Sequence, residues 1–393
     1  MDAAQLKGRM LGVIDGVSDL LLDTSHQIHA NPELAFEERF AHGLLTDVLE
    51  QQGIEVTRGA FDLETAFDAT VGTEGPTIAV CLEYDALPVV GHACGHNIIA
   101  TAGLGACLAA AAWAEEAGGR VRILGTPAEE GGGGKVLMAE RGALEGVDAA
   151  MMVHPADADL LAMDAIAATH LDVVYEGVAA HAAAFPHLGR NALDAAVLGY
   201  VNVAALRQHI EATDRVHGVF VEGGDKANIV PERTRMQWMV RSARFASLEP
   251  LQKRVEACFD AGAAATGCTC TYRVSNPPYA DMVDNPVLVA LYAANSETLG
   301  RPLTDPRAGG ERVVGSTDMG NVSYLVPSIH PMVQVAPKGV SIHTHEFTAH
   351  ARSEAGDAAV LHGAQAMAAT IADLWADRRL VADARAAFDA TVS

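Results

Sequence analysis

The chain has 393 residues, of which 50% are hydrophobic and 20% are charged, a composition that excludes a disordered protein and suits two or three domains. Its 50 acidic and 27 basic residues give a formal net charge of −23, so nucleic acid and anionic membranes are poor partners. Six cysteines are too few for a disulfide framework and the N-terminus lacks a signal-peptide pattern, so we expect a reducing cytoplasm.

Apolar residues recur at helical spacing over residues 1–50, and further helices are predicted over 98–117 and 135–145. An uncharged run at 97–114 is close to the length of a membrane span. Its Ala and Gly content and the Cys/His cluster before it indicate a buried core helix instead. Four apolar segments are predicted as strands: 77–82, 121–124, 149–153 and 331–336.

The alternation of strands and helices predicts an α/β fold, in which a mostly parallel sheet carries helices on both faces. Residues 169–280 differ, because their segments follow the order β-α-β-β-α-β that is typical of ferredoxin-like α+β domains. We therefore expect an inserted domain. The predicted organisation is a first part over 1–168, the insertion over 169–280 and a second part over 281–393.

Acidic and histidine side chains collect at the ends of the four predicted strands. They are, in chain order, Glu83, Asp85, Glu129, Glu130, His154, His343 and His345. Functional sites in open α/β sheets lie beyond the carboxyl ends of the strands. We therefore expect these side chains to converge at one edge of the sheet.

The strongest metal-binding signal is the segment 91–96, Gly-His-Ala-Cys-Gly-His. Thiolate and imidazole groups in a glycine-bounded loop suit a borderline-soft ion such as zinc, although a buried cysteine between two ordinary histidines is the alternative. The adjacent carboxylates of Glu129 and Glu130 repel each other, so they predict either a bound cation or a general acid–base, with a solvated acidic loop as the alternative. His154 fits a core residue or a metal ligand.

Three other motifs are excluded. A phosphate-binding loop before Lys135 would need Gly in place of Glu129 and Ser or Thr in place of Val136. His345 and His350 are one residue too far apart for H-E-x-x-H, and no serine lies in G-x-S-x-G. The remaining thiol, imidazole and carboxylate groups suffice for metal-assisted hydrolysis, in which the metal lowers the pKa of a water and a spare carboxylate accepts its proton.

Several motifs, taken in order, resemble the zinc-dependent metallopeptidase family of aminoacylase, carboxypeptidase G2 and IAA-amino-acid hydrolase. The segment 83–97 is most similar to aminobenzoyl-glutamate hydrolase and aminoacylase-like dipeptidases. The resemblance covers nearly the whole chain. Its motifs lie at 29–34, 85–88, 91–96, 127–131, 177–186, 228–231 and 315–318.

The resemblance implies one or two divalent metal ions per chain. Their ligands would be Cys94, His96, Glu130, His154 and His343. Glu129 would be the general base, and Asp85 would support the ligands. The inserted domain would be the lid of a homodimer. In that domain, His181 would reach the other subunit's active site, and Asn228 and Arg241 would contact the substrate.

The sequence departs from the family pattern at three places. Two of them leave the identity of a ligand or of the metal open. Asn97 stands where many relatives have Asp. Near the C-terminus, His343 is aligned with the family ligand because Phe347 then falls in register, and His345 is the rival. Finally, the thiol of Cys94 occupies the place of a bridging Asp in other branches, so manganese and cobalt are alternatives to zinc.

The expected function is hydrolysis of the amide bond of a small N-acyl amino acid or dipeptide, with Glu129 as the base. Arg241 points to an acidic product. The alternatives are a hydrolase of an N-carbamoyl compound and a non-catalytic binding protein on the same scaffold. A closed, purely structural zinc site is disfavoured, because four protein ligands would leave the carboxylate of Glu129 without a role.

Overall fold

The computed structural model describes residues 1–306 and 314–392, which divide into two compact units. The first unit comprises residues 1–165 and the described residues from 282 onward. The second unit comprises residues 166–281. The insertion expected from the sequence, 169–280, starts three residues later and ends one residue earlier than this second unit.

Helices and strands are numbered separately along the chain. The α-helices are α1 (Ala3–Gly16), α2 (Ser18–Ala30), α3 (Arg39–Gln51), α4 (His96–Ala111), α5 (Ala114–Ala117), α6 (Gly134–Glu140), α7 (Ala192–Leu206), α8 (Phe245–Thr266), α9 (Pro286–Thr298), α10 (Met319–Ser323), α11 (His345–His350), α12 (Glu354–Ala376) and α13 (Arg378–Val392). The strands are β1 (Thr57–Arg58), β2 (Phe67–Val71), β3 (Thr77–Glu83), β4 (Arg120–Thr126), β5 (Ala149–Met151), β6 (His154–Ala156), β7 (Asp164–Ala165), β8 (Ala167–Glu176), β9 (Arg215–Glu222), β10 (Arg233–Ser242), β11 (Thr269–Val274), β12 (Val314–Gly315), β13 (Ser328–Ile329) and β14 (Met332–Gln334).

The first unit is built on a six-stranded sheet with the order β1-β2-β4-β3-β5-β13. The strands β4, β3, β5 and β13 pair in parallel, whereas β1 and β2 are antiparallel at one edge. Strand β3 is buried at all seven positions. A continuous apolar run is what a central strand of a parallel sheet needs, because both of its faces are covered.

Successive side chains of β3 enter two separate hydrophobic cores, as the two-residue period of a strand requires. Ile78, Val80 and Leu82 join a core with α1, α4 and α12. Ala79 and Cys81 join a second core with apolar side chains of α6 and α10. Helices therefore cover both faces of the sheet, which confirms the predicted α/β fold.

Helix α4 is the buried core helix predicted from the uncharged run at 97–114. All its residues up to Ala110 are buried, and it packs against α2, α12 and β3. Gly105 permits the close packing, since a Cβ atom there would lie 2.7 Å from Leu21 Cδ1 and 2.9 Å from Ala364 Cβ. Over the part of the chain that the structure describes, no helix has the length and apolarity to cross a bilayer.

The predicted strand 149–153 is wrong at its carboxyl end. Strand β5 stops at Met151, and His154 begins a separate strand, β6, which pairs in parallel with β14 in a two-stranded sheet. Pro155, which has no N–H group to donate, lies in this two-stranded sheet, where each strand is an edge strand and proline is tolerated. The strand predicted over 331–336 is likewise shorter and belongs to this small sheet.

The second unit has the predicted ferredoxin-like order of elements. Its four-stranded antiparallel sheet has the order β11-β8-β10-β9, so the first and third strands along the chain are central. Helices α7 and α8 pack against each other and against the sheet. Tyr175, Trp238 and Phe259 are the large aromatic side chains of its separate core.

Candidate metal centre

Cys94 and His96 lie in the connection from β3 to α4, and His96 is the first residue of that helix. Gly95 between them has a φ of 75°, in the left-handed region that favours glycine. A Cβ atom at Gly95 would lie 2.8 Å from Pro155 Cγ. Glycine therefore allows this loop to approach the residue next to His154 closely.

Glu129 and Glu130 lie on a tight turn that follows β4. Ala128 has a φ of 60°, and its carbonyl oxygen accepts hydrogen bonds from the N–H groups of Gly132 and Gly133 at 3.0 and 2.9 Å. A Cβ atom at Gly134 would lie 1.8 Å from the Pro127 carbonyl oxygen. The glycine run that resembles a phosphate loop thus serves to fold the chain back beneath the two carboxylates.

The remaining candidate ligands come from two histidines that are distant in sequence. His154 Nδ1 lies 2.7 Å from the Pro155 carbonyl oxygen, so its Nε2 remains for another partner. His343 has a φ of 65°, and its N–H group donates to the Ala93 carbonyl oxygen at 2.9 Å. This backbone bond fastens the C-terminal loop to the residue beside Cys94.

These residues converge on one place, and their possible ligand atoms form three groups. Within each group, all ligand atoms lie within 4.8 Å of one another. The groups are Cys94 with His96 and His154, Cys94 with Glu130 and His343, and Glu83 with His96 and Glu129. Cys94 and His96 each belong to two groups, so the three groups overlap. His345, the rival of His343, belongs to none of them.

The chemistry of the donor set and one unsatisfied atom fit a metal ion. His96 Nε2 is buried and has no hydrogen-bond partner among the described residues, which is costly for a polar atom. It lies 3.8 Å from Glu130 Oε1 and 3.9 Å from Glu129 Oε2. Sulfur, imidazole nitrogen and carboxylate oxygen are all ligands of zinc.

Asp85 holds two of the candidate groups in place. Its Oδ1 accepts a hydrogen bond from His96 Nδ1 at 3.0 Å, and its Oδ2 accepts one from the Glu130 N–H group at 2.9 Å. The first bond keeps the proton on Nδ1 of His96, so that Nε2 faces the other candidate ligands. Carboxylates commonly accept such a bond from the non-ligating nitrogen of a metal-bound histidine. This position agrees with the supporting role that the resemblance implied.

A buried charged triad, which the sequence pattern does not predict, lies beside the cluster. Lys135 Nζ lies 2.5 Å from both Glu83 Oε1 and Asp318 Oδ1, and all three side chains are nearly fully buried. The Glu83 carboxylate also lies 3.6 Å from His96 Nε2. Glu83 lies at a predicted strand end and Asp318 in a family motif, whereas the only motif that includes Lys135 is the excluded phosphate-binding loop.

His330 is a second residue that sequence reasoning passed over. Its ring is fully buried and stacks on His154 with 5.4 Å between ring centroids. Neither ring nitrogen has a hydrogen-bond partner within residues 1–306 and 314–392. Burial lowers the pKa of His330 to about 4, so the ring is neutral. It precedes the strand predicted over 331–336, whereas in the structure it directly follows the short strand β13, which was not predicted. The ends of the predicted strands therefore do not include it.

The crowding of carboxylates dominates the electrostatics of the centre. Burial raises the pKa of Glu129, and Glu83 and Glu130 raise it further by repulsion. Burial and then Glu130 likewise raise the pKa of the Cys94 thiol. Burial alone would lower the pKa of His96, but Asp85, Glu83 and Glu130 together raise it to about 10. Without a metal ion, protons bound to these groups therefore balance the negative charge of the carboxylates.

The other predicted site residues belong to the second unit. His181 is exposed, and its Nδ1 accepts the N–H group of Ala184 at 3.1 Å, which leaves Nε2 open to solvent. Asn228 lies next to it, because its carbonyl oxygen accepts the N–H group of Ala182. Arg241 lies on another element, strand β10, where it is half-buried and its Nε donates to Met239 Sδ.

Comparison with known proteins places the chain in one family. Residues 80–373 match peptidase family M20/M25/M40. An Xaa-Arg dipeptidase of Mus musculus is 39% identical over 383 residues, covering 94% of this chain and 89% of that protein. A p-aminobenzoyl-glutamate hydrolase component of Escherichia coli (strain K12) is 30% identical over 431 residues, covering 91% and 90%. A dinuclear metal-binding M20 peptidase from Bacillus subtilis shares the fold, with a TM-score of 0.69, 18% identity and coverage of 91% and 98%.

The site is a cluster of sulfur, nitrogen and oxygen donors beside a parallel sheet. Together with these relatives, it defines a metal-binding hydrolase that acts on amide bonds. The chain belongs to peptidase family M20/M25/M40. This confirms the resemblance to metallopeptidases that the motifs carried. The relatives are named as hydrolases, so a non-catalytic binding protein is disfavoured.

Zinc binding to the metal-free protein is expected to release protons. The pKa of His96 is about 10 and that of Cys94 is raised, so both groups are protonated at pH 7 and must lose a proton to bind an ion. Zinc affinity should therefore fall as the pH is lowered. Titration calorimetry of the chelator-treated protein, in two buffers of different ionisation enthalpy, measures the release. A proton count of zero would contradict the assignment of these ligands.

Proposed function

We propose that this chain cleaves the amide bond of a dipeptide or a small N-acyl amino acid. The observation that carries the proposal is the pair of ligand groups that share Cys94, with the carboxylate of Glu129 beside them. The relatives support the substrate class. Their names describe an Xaa-Arg dipeptide, an aminobenzoyl-glutamate and conjugates of indole-3-acetic acid (IAA) with amino acids.

In this proposal, one ion is held by Cys94, His96 and His154, and a second by Cys94, Glu130 and His343. Zinc suits the mixture of sulfur, nitrogen and oxygen donors, and manganese and cobalt are the alternatives. Bound there, the metal would supply Lewis acidity toward the carbonyl oxygen and lower the pKa of water. Asp85 would keep the ring of His96 in its ligating orientation.

Glu129 is the proposed general base. Its carboxylate is almost fully buried, and burial and repulsion from Glu83 raise its pKa. A carboxylate with a raised pKa can accept the proton of the attacking water and return it to the leaving amine nitrogen. Glu130 differs, because its N–H group donates to Asp85 and its carboxylate lies near His343, which suits a ligand.

The second unit would complete the site as a lid. His181, exposed with an available Nε2, is proposed to polarise the substrate carbonyl, and Asn228 and Arg241 are proposed to contact substrate oxygens. Arg241 favours a substrate with an acidic C-terminal residue, whereas two relatives are named for a C-terminal arginine. A substrate panel should therefore include both charges.

A homodimer is proposed to form through the second unit. Strand β9 is an edge of its sheet, and Val219, Phe220 and Val221 on that strand are exposed at 60%, 41% and 49%. Helix α7 adds the exposed Val197 and Val201. An apolar edge strand next to an apolar helix surface would promote aggregation if left uncovered, and a second copy of the chain would cover it.

A reducing cytoplasm is the proposed compartment. None of the six cysteines forms a disulfide bond, and Cys94, Cys81 and Cys107 are buried. A metal-binding thiolate also has to stay reduced to act as a ligand. Both features suit a compartment in which thiols are kept reduced.

Freshly purified protein is expected to contain one or two transition-metal ions per chain and to release amino acids from the substrate panel. Elemental analysis should find less metal in Cys94→Ser, which removes a ligand common to both groups. The control is Cys258→Ser in the second unit, which should keep its metal. Absence of metal from the unmodified protein, even after incubation with zinc or manganese, would refute the proposal.

Glu129→Gln should retain its metal but lose roughly 100- to 10,000-fold in kcat, because the amide cannot accept the proton. Glu140→Gln is the control, since Glu140 is exposed on helix α6 and should keep full activity. Steady-state kinetics with metal analysis of the same samples measures both properties. Near-normal turnover of Glu129→Gln would show that another group is the base.

Complementation tests whether His181 acts across the dimer. Mixing Glu129→Gln with His181→Ala, each inactive alone, gives heterodimers with one intact site if His181 serves the other subunit. Random exchange should then restore about a quarter of normal activity, because half of the dimers are heterodimers with one intact site each. No restoration, in a mixture whose dimer exchange is verified by mass, would mean that His181 acts within its own chain.

A further inference from the structure

Glu38 is a fully buried carboxylate just before helix α3, and it belongs to none of the three groups of candidate ligands. Its Oε1 accepts hydrogen bonds from the N–H groups of Phe36 and Ala128, both at 2.9 Å. Its Oε2 accepts one from the Thr65 hydroxyl at 2.8 Å. The carboxylate thus joins the loop before α3 to the turn that carries Glu129.

Both amide donors belong to residues with an unusual backbone. Phe36 has a φ of 62° and Ala128 a φ of 60°, in the left-handed region that residues other than glycine seldom adopt. Such conformations persist when surrounding bonds over-determine them. Here a single carboxylate oxygen binds the N–H groups of both residues, so it holds the two strained positions together.

The ring of Phe36 makes a second contact with the same turn. A Cβ atom at Gly132 would lie 2.4 Å from a ring carbon of Phe36 and 2.7 Å from Ala128 Cβ. The turn is therefore held by the Glu38 hydrogen bond and by the packed aromatic ring. Glu129 and Glu130 follow Ala128 directly, so the backbone of Ala128 sets the direction in which both carboxylates leave the turn.

We propose that Glu38 is a positioning residue, which fixes the Ala128 turn and thereby aims Glu129 and Glu130 at the metal centre. The inference rests on the proposed function for the roles of those two residues. It concerns hydrogen-bonding geometry rather than charge. A side chain of the same length with a carbonyl oxygen should therefore replace Glu38, whereas a shorter carboxylate should not.

The test compares Glu38→Asp with Glu38→Gln. Aspartate keeps the charge but withdraws the oxygen by one methylene group, so one or both amide bonds are lost. Glutamine keeps an acceptor at the same reach, and its NH₂ group can donate to the Thr65 hydroxyl. Because misplacing a catalytic group by about 1 Å can cost 100-fold, kcat of Glu38→Asp should fall about 10- to 100-fold. Glu38→Gln should stay within about three-fold of the unmodified protein.

Two readouts do not depend on turnover. Hydrogen exchange of the peptide 126–134 should accelerate in Glu38→Asp, because the Ala128 N–H group loses its acceptor. Zinc affinity, measured by competition with a chromophoric chelator, should also fall, because Glu130 is displaced. Thr65→Val is the matched control: it removes the third hydrogen bond and lowers the unfolding midpoint, but should change neither exchange of this peptide nor kcat.

The proposal would be overturned if Glu38→Asp kept the hydrogen exchange and the kcat of the unmodified protein. It would also be overturned if Glu38→Asp and Glu38→Gln lost kcat equally, because the site would then need a negative charge at the right distance. If Glu38→Asp does not fold, the kcat of the folded Glu38→Gln variant tests the inference. A large loss of kcat in that variant would refute it. Glu129→Gln is measured in parallel. A normal Glu38→Asp beside an inactive Glu129→Gln rejects only the role of Glu38, whereas an active Glu129→Gln rejects the proposed base.

Discussion

The metal centre depends on one electrostatic constraint, the burial of several carboxylates at the same edge of a sheet. Glu83, Asp85 and Asp318 are nearly inaccessible, and the pair at 129–130 adds two more acidic groups. Like charges at these distances cannot all remain ionised in a medium of low dielectric constant without cations. Lys135 supplies one positive charge from within the fold. Divalent ions can supply the rest, which is why the centre is built of metal-binding groups.

The sequence was sufficient for the architecture because the main signals are local. The apolar run of β3 identifies a central strand, and the order of segments in the insertion identifies a ferredoxin-like unit. The rule that sites lie at carboxyl ends of strands then brings Cys94, Glu130 and His154 to one edge. The prediction failed at the carboxyl end of β5, because the chain passes there from the main sheet into a second, two-stranded sheet, a change of pairing partner that the apolar run 149–153 does not indicate.

The supporting contacts could not be predicted, because their two ends are far apart in sequence. Lys135 and Asp318 are 183 residues apart, and Glu38 and Ala128 are 90 residues apart. Ala128 and Phe36 also adopt a conformation that a sequence pattern assigns to glycine. The resemblance to a family provided candidate ligands and one supporting residue, Asp85, but it did not indicate Lys135 or Glu38. The contacts of these residues become visible only once the fold has brought distant segments of the chain together.

The ends of the second unit are fastened to each other, and this has a consequence for folding. Ala168 and Tyr279 exchange two backbone hydrogen bonds, both at 2.9 Å, so the chain leaves the unit beside the point at which it enters. Once this continuous unit has folded, it acts as a short closed linker between the two halves of the first. The parallel pairing of β5 with β13 would otherwise require closure of a long flexible loop, whose entropic cost grows with its length. An insertion that folds first therefore lowers the topological barrier to assembling the six-stranded sheet of the first unit.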